Sequence, residues 1–390
     1  MTALNLASTV ALAPVLSPGT DYERLASCFR PVFARIAEGV LERERDRSLP
    51  YEQIEWLKAA GFGAVRVPVE HGGAGASLPQ LIQLLIELAE ADSNLPQALR
   101  GHFAFVEDRL NAEPGPARDV WFRRFVDGEL VGNAWTEVGS VAIGDVITRV
   151  SRDGARWVVN GEKYYSTGSI FADWIDVFAR RDDTGEDVIA AVRARQPGVT
   201  HHDDWDGFGQ RTTGSGTTTF VAAEVDEIDI IDFSTRFKYQ TAFYQLVLLA
   251  VLAGTGRAAL RDISQEVRSR RRIFSHGNAP SQRAYEARFG GDAHAEHEAN
   301  VDAELDSARG QSAIADLVLR ATTLLFNALG ASGTSEQKRL DRHWRNARTA
   351  ASHNPIVFKE RIVGDREING TEPPYVWAIG AGPAKGQKAA

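Results

Sequence analysis

Apolar positions change their spacing twice along the chain. From Tyr22 to about Leu130 they recur every three or four residues, most clearly at Leu78, Leu81, Ile82, Leu85, Leu88 and Ala89, which predicts amphipathic helices. Ser77 followed by Pro79 supplies a helix start, because a serine oxygen can accept from the free amides of a first turn and proline has no N–H to satisfy there. Between the helices, Val67-Pro68-Val69-Glu70-His71-Gly72-Gly73-Ala74-Gly75 reads as a loop. It has neither the preceding strand nor the G-x-G-x-x-G spacing of a dinucleotide-binding turn, and Gly254-Thr255-Gly256 lies inside a helical run, so a nicotinamide domain is unsupported.

The middle third alternates. Val146–Val150, the turn Asp153-Gly154, Arg156–Val159, the turn Asn160-Gly161 and Lys163–Ser166 predict two successive hairpins. Trp174–Ala179, Val188–Val192 and Thr217–Val225 add β-branched strands, enough for a small sandwich or barrel. Helical spacing returns from Phe233, through Phe243, Leu246, Leu249, Val251 and Leu252 and later Ile314, Leu317, Leu324 and Leu329, as expected of a helical bundle. The expected class is therefore α+β: an arm over 1–20, an α-helical domain over 21–130, a β domain over 131–232, a four-helix bundle over 233–365 and a tail over 366–390.

Composition narrows the partners. A formal net charge of -8 argues against a nucleic-acid or anionic-membrane surface. Cys28 is the single cysteine, which excludes an internal disulfide and fits the cytoplasm, so any redox chemistry must come from a cofactor. The run Val10–Leu16 lacks a basic leader and is broken by Pro14 and Pro18, so neither a signal peptide nor a membrane span is expected. His201-His202-Asp203-Asp204 and the pair His294 and His297 have the composition of metal ligands but sit beside a strand and in an acidic helix, and no metal is assigned to them.

Local sequences then resemble the acyl-CoA dehydrogenase superfamily across most of the chain. They are Gly132-Asn133-Ala134-Trp135-Thr136-Glu137, Lys163-Tyr164-Tyr165-Ser166-Thr167-Gly168, Gly209-Gln210-Arg211-Thr212-Thr213-Gly214-Ser215, Arg271-Arg272-Ile273-Phe274 and Leu340–Arg348. Where that family carries the glutamate that removes a substrate α-proton, counting from Arg345 gives Asn354, in His353-Asn354-Pro355, and an amide is no general base near neutral pH. His353 with Ser166 is instead similar to the flavin monooxygenase branch of the superfamily. That resemblance implies an oxygenase taking reduced FMN, or alternatively reduced FAD, from a separate NAD(P)H-dependent reductase, and using O2 through a C4a-(hydro)peroxyflavin on a small organosulfur or aromatic heterocyclic substrate. It also implies a homotetramer. A thioester dehydrogenase or oxidase and a non-catalytic flavoprotein are the competing readings.

Under the resemblance His353, Ser166 and Asn133 would act in catalysis, because imidazole titrates near working pH and a hydroxyl and an amide can hydrogen-bond the flavin. Asn133, Thr136, Tyr165, Ser166, Thr167 and Asn354 would hold the flavin ring, and Arg270 or Arg271 its phosphate. His102, Phe103, Phe105 and Trp205 would line the substrate pocket.

Overall fold

The computed structural model describes residues 20–137, 146–269, 293–329, 337–353 and 356–373. Of the sequence readings, residues 1–19 of the arm, Arg270, Arg271, Asn354 and the part of the tail beyond residue 373 lie outside these.

The first third is helical: α1 (Thr20–Glu38), α2 (Val40–Asp46), α3 (Tyr51–Ala59), α4 (Leu78–Ala91), α5 (Asn94–Ala98), α6 (Arg100–Asn111) and α7 (Pro116–Val126). Ser77 caps α4 through a capping box with Gln80, and the predicted stripe Leu81, Leu85 and Leu88 is fully buried. Phe29, Phe33, Phe62 and Phe103 form the aromatic centre of this domain, with Phe62 edge-on to Phe103 at 5.5 Å.

The strands are β1 (Val131–Ala134), β2 (Arg149–Asp153), β3 (Arg156–Lys163), β4 (Trp174–Arg181), β5 (Asp187–Arg193), β6 (Val199–His201), β7 (Thr218–Val225) and β8 (Ile230–Asp232). They form one sheet in the order β6-β7-β3-β2-β4-β5-β8, with β1 parallel to β4. β5 also packs across onto β7, so the sheet curls over a core of Val150, Val159, Ile175, Val177, Val192 and Phe220. The Asp153-Gly154 hairpin forms as expected. The Asn160-Gly161 hairpin does not: β3 runs straight through to Lys163, paired with β7 across a bulge at this dipeptide. Asn160 Oδ1 accepts from the Ala222 amide, and a side chain at Gly161 would overlap Thr148, so this glycine serves a close approach and not a turn.

The last third holds α8 (Gln240–Ser269), α9 (Ala293–Leu329), α10 (Asp341–Ala351) and α11 (Ile356–Asn369), packed as a bundle that also receives α4 against α8. Gly254, set aside as a nucleotide motif, permits that contact, since a Cβ there would overlap Ala89 and the Ile86 carbonyl. Two stretches, Gln240–Asp262 and Glu304–Leu329, are long and apolar enough to cross a membrane by length and composition; the first is 67% buried within the fold, the second 22%.

A buried polar network ties the three parts together. Asp176 on β4 accepts from Trp135 Nε1 at 3.0 Å and from Arg236 Nη2 at 2.7 Å, while Asp108 on α6 accepts from the Phe237 amide at 3.2 Å and lies 3.5 Å from Arg236. Each of these charges is almost wholly buried and is compensated by an opposite partner, the condition under which burial is tolerated.

Candidate active-site cavity

A cavity of about 870 Å³ opens where the sheet meets the helical bundle. Thr136, Tyr165, Thr167 and Trp205 come to it from loops between the strands, Gln97 from α5, Thr241 from α8, Glu304 from α9, Arg348 and His353 from α10 and its end, and Lys359 from α11. Its floor is the loop Gly207–Ser215, held from two sides. Asn346 on α10 accepts from the Gln210 amide at 2.8 Å and donates to Ser93 Oγ at 3.2 Å, which also takes Gln210 Nε2 at 3.1 Å. Gly209 sits so close to the Arg345 carbonyl that a side chain there would collide with α10. This explains the glycine in a turn that the sequence offered only as a family likeness.

Hydroxyls line the sheet side in a chain. Thr213 Oγ1 donates to the Gln210 carbonyl at 2.9 Å and lies 2.7 Å from Ser215 Oγ, which is 2.9 Å from Thr167 Oγ1. Trp205 Nε1 donates to the Gln210 carbonyl at 2.9 Å, and the Tyr165 ring stands edge-on to Trp205 at 5.8 Å. Below Thr136, buried Lys163 donates to Glu137 at 2.5 Å and to the Trp135 carbonyl at 3.2 Å; burial pulls its ammonium down to about 8 against the pull of Glu137.

On the helix side Lys359 Nζ donates to Glu304 Oε1 at 2.6 Å, both side chains being almost fully buried. Burial outweighs the lysine and raises the Glu304 carboxyl. His353 is exposed to the cavity and its Nε2 lies 2.7 Å from Nη2 of Arg100, the first residue of α6.

Several sequence-predicted residues therefore meet here: Thr136, Tyr165, Thr167, Trp205 and His353 all line the cavity. Others do not. Ser166 lies between two lining residues, but its own side chain is buried, donating to the Gly216 carbonyl and meeting Thr218 Oγ1, each at 2.6 Å. Asn133 packs against Gly101, with its Oδ1 buried and unpartnered. His102, Phe103 and Phe105, expected to line the substrate pocket, are not among the residues lining this cavity. Phe103 joins the aromatic centre of the helical domain and Phe105 packs on Trp121 at 4.6 Å. His102 is fully buried, donating from Nε2 to the Gly63 carbonyl at 2.8 Å and accepting at Nδ1 from the Val131 amide at 3.2 Å. Both its nitrogens serve the backbone. Gln97, Arg100, Gln210, Thr213, Ser215 and Glu304 were not singled out from sequence; only the Gly209–Ser215 likeness pointed at three of them.

Among the described residues no group of three or more His, Cys, Asp or Glu side chains could hold a metal ion. His201 is engaged by Thr218 Oγ1 and the Ala194 carbonyl.

Three family models match the chain in order. They are the acyl-CoA dehydrogenase N-terminal domain over residues 26–112, the middle domain over 134–223 and the C-terminal domain over 282–358. The chain belongs to the acyl-CoA dehydrogenase superfamily. Within it, the chain is 27% identical over 386 residues to a dibenzothiophene monooxygenase of Rhodococcus qingshengii, covering 85% of this chain and 90% of the relative. It is 24% identical over 397 residues to a probable FMNH2-dependent monooxygenase of Pseudomonas putida, covering 93% and 98%. The FMN-bound dibenzothiophene monooxygenase of Paenibacillus sp. A11-2 superposes with a TM-score of 0.79 at 25% identity over 90% of this chain and 98% of that one. A methanesulfinate monooxygenase of Pseudomonas fluorescens shares the fold, with a TM-score of 0.76 at 23% identity.

Proposed function

We propose that the chain is the oxygenase component of a two-component flavin monooxygenase, receiving reduced FMN from a separate NAD(P)H-dependent reductase and using O2 to oxygenate a small organosulfur or aromatic heterocyclic substrate. The observation that carries this reading is the imidazole of His353 on the wall of a deep cavity, beside a row of hydroxyls and amides. The donor set fits a flavin ring, whose polar edge both donates and accepts: Thr136, Thr167, Ser215 and Gln210 can do either. Bound reduced flavin would supply the electrons that activate dioxygen. Arg348 lines the cavity and is a cation available to the flavin phosphate. FAD is the alternative flavin. Trp205 and Tyr165 offer aromatic faces to a flat substrate, and the Paenibacillus relative has been solved with FMN and indole together.

A second reading has its own observation. Glu304 is a buried carboxylate on a C-terminal helix, facing the cavity with its carboxyl raised, the setting a general base for a thioester α-proton would need. One experiment separates them. The chain is mixed anaerobically with reduced FMN and then with ¹⁸O2 and dibenzothiophene, indole or methanesulfinate, and in parallel oxidised flavoprotein is titrated anaerobically with acyl-CoA thioesters. Labelled oxygen in product supports the oxygenase; thioester-dependent bleaching without labelled product replaces it with the dehydrogenase.

The same proposal extends to assembly as a homotetramer in the cytoplasm. Leu317 and Leu324 on α9 and Val357, Phe358 and Ile368 on α11 are exposed apolar residues on bundle helices, a surface that a second copy would cover. Light scattering on the purified chain tests it, and a monomer at micromolar concentration refutes it.

A further inference from the structure

We propose that Arg100 is a positioning residue that holds His353 as a neutral imidazole with its proton on Nδ1. A guanidinium has only donors, so the 2.7 Å contact between Arg100 Nη2 and His353 Nε2 requires a lone pair on Nε2. The ring proton is then on Nδ1. Protonating Nε2 would break this bond and set an imidazolium against a fixed cation.

Arg100 is built for that task. It is 5% exposed, its plane lies over the Tyr244 ring at 5.0 Å, and its Nε and Nη1 are buried without hydrogen-bond partners. Burial lowers its guanidinium to about 10, against a smaller opposing pull from Tyr244, which leaves it charged at neutral pH. Among the described residues no carboxylate pairs with it, and such a buried cation is costly and repels further positive charge nearby. The contrast with Arg236, equally buried but answered by Asp176 and Asp108, shows that this fold neutralises an internal arginine where only structure is at stake. Arg348 and the Glu304 and Lys359 pair share the cavity with His353, as does the Tyr165 phenol; of these Glu304 is the one carboxylate, and its Oε1 is paired with Lys359 at 2.6 Å.

The consequence for the proposed oxygenase is that His353 would donate a hydrogen bond from Nδ1 without releasing or taking up a proton at Nε2 in the working range. This functional part rests on the oxygenase reading; the tautomer does not.

The test uses the flavin-free chain. Long-range ¹⁵N–¹H spectra of ¹⁵N-histidine-labelled protein distinguish the two neutral tautomers, and His353→Asn assigns the signal among nine histidines. The expected result is an Nδ1–H tautomer that resists protonation about one to two pH units below the ordinary histidine midpoint. In Arg100→Met the midpoint should rise back by that amount, while Arg100→Lys, which keeps a donor and a charge, should stay low. A wild-type His353 with its proton on Nε2, or one titrating at the ordinary midpoint, overturns the proposal without any variant needing to fold. In turnover with reduced FMN, Arg100→Met should make hydrogen peroxide release depend on pH where wild type does not. Confirmed spectra with no labelled product in wild type would sink the oxygenase reading and leave the positioning role standing.

Discussion

His102 and His353 carry the same ring in two settings. His102 is enclosed between α6 and β1, with its proton on Nε2 for the Gly63 carbonyl and its lone pair on Nδ1 for the Val131 amide. His353 stands at the end of α10 on the cavity wall, with Nε2 facing a buried arginine. Both are held neutral, in opposite tautomers. The first is fixed by backbone groups that need it, the second by a side chain that has no other hydrogen bond among the described residues. A histidine whose nitrogens both serve the main chain contributes to folding; one that meets a buried arginine and lines the cavity is placed for chemistry.

The largest expected effect separates them by stability. His102→Leu leaves the Gly63 carbonyl and Val131 amide buried without partners and should lower the unfolding free energy by about 2–4 kcal/mol, with product formed per folded molecule unchanged. Urea unfolding measures the first and coupled turnover the second; an unshifted midpoint would place His102 outside the structural role. The pH dependence has a definite sign. Burial lowers the His102 imidazole to about 4, so between the ordinary value and about 4 the unfolded chain binds a proton that the folded chain refuses. Stability therefore falls as pH drops through that window, by at most ~3 kcal/mol from this group. His343, likewise lowered to about 4 mainly by burial, adds a loss of the same sign. His102→Leu should flatten the acid limb of the stability curve, and a limb of unchanged slope would contradict the assignment.

His353→Ala is the opposite experiment. The ring itself is exposed and little burial is lost, but Arg100 loses its hydrogen bond, so stability should fall by about 1 kcal/mol, less than for His102→Leu, while on the proposed reading the ratio of product to hydrogen peroxide drops about tenfold or more. Peroxide assayed against NADH consumed in the presence of a reductase is the measurement. Unchanged coupling would reduce His353 to a helix-end residue and erase the contrast with His102.

Much of the fold was legible because it rests on local chemistry. The Ser77 cap, the leucine stripe of α4 and the Asp153-Gly154 turn each follow from neighbours in sequence. Asn160-Gly161 misled because the same dipeptide that suits a hairpin also suits a bulge, and only the close approach of Thr148 tells them apart. The cavity was half legible. Tyr165 and Thr167 line it while the Ser166 hydroxyl between them is spent on Gly216 and Thr218, a difference of one residue that likeness to a family cannot resolve. Arg100 and Glu304 were invisible for a stronger reason. Their roles come from His353 and Lys359, 253 and 55 residues distant, and no local pattern marks a charge that will be buried.

Glu304→Gln decides which of the two cavity chemistries holds. If Glu304 were a base for thioesters, the amide would abolish anaerobic flavin bleaching by acyl-CoA. On the oxygenase reading the amide spares oxygen transfer, and the cost is structural: Lys359 is left buried against a neutral partner, a loss on the order of 1–3 kcal/mol. A variant that stays folded but loses oxygenation completely would make Glu304 part of the reaction and require a revised site.

The smallest effect concerns the hydroxyl chain. Ser215 Oγ bridges Thr213 and Thr167 on the cavity's sheet side, so Ser215→Ala removes a link that could also bond the flavin edge. Thr213 keeps its bond to the Gln210 carbonyl, so the loop should hold and the unfolding midpoint should barely move. If the chain serves the flavin, FMN affinity measured by fluorescence quenching should weaken about threefold to tenfold, the equivalent of roughly 1 kcal/mol for one lost neutral hydrogen bond. If affinity is unchanged while the midpoint falls, these hydroxyls satisfy one another for the sake of the fold, as His102 does for α6 and β1. The flavin edge would then be sought at Thr136 and Gln97, which also line the cavity.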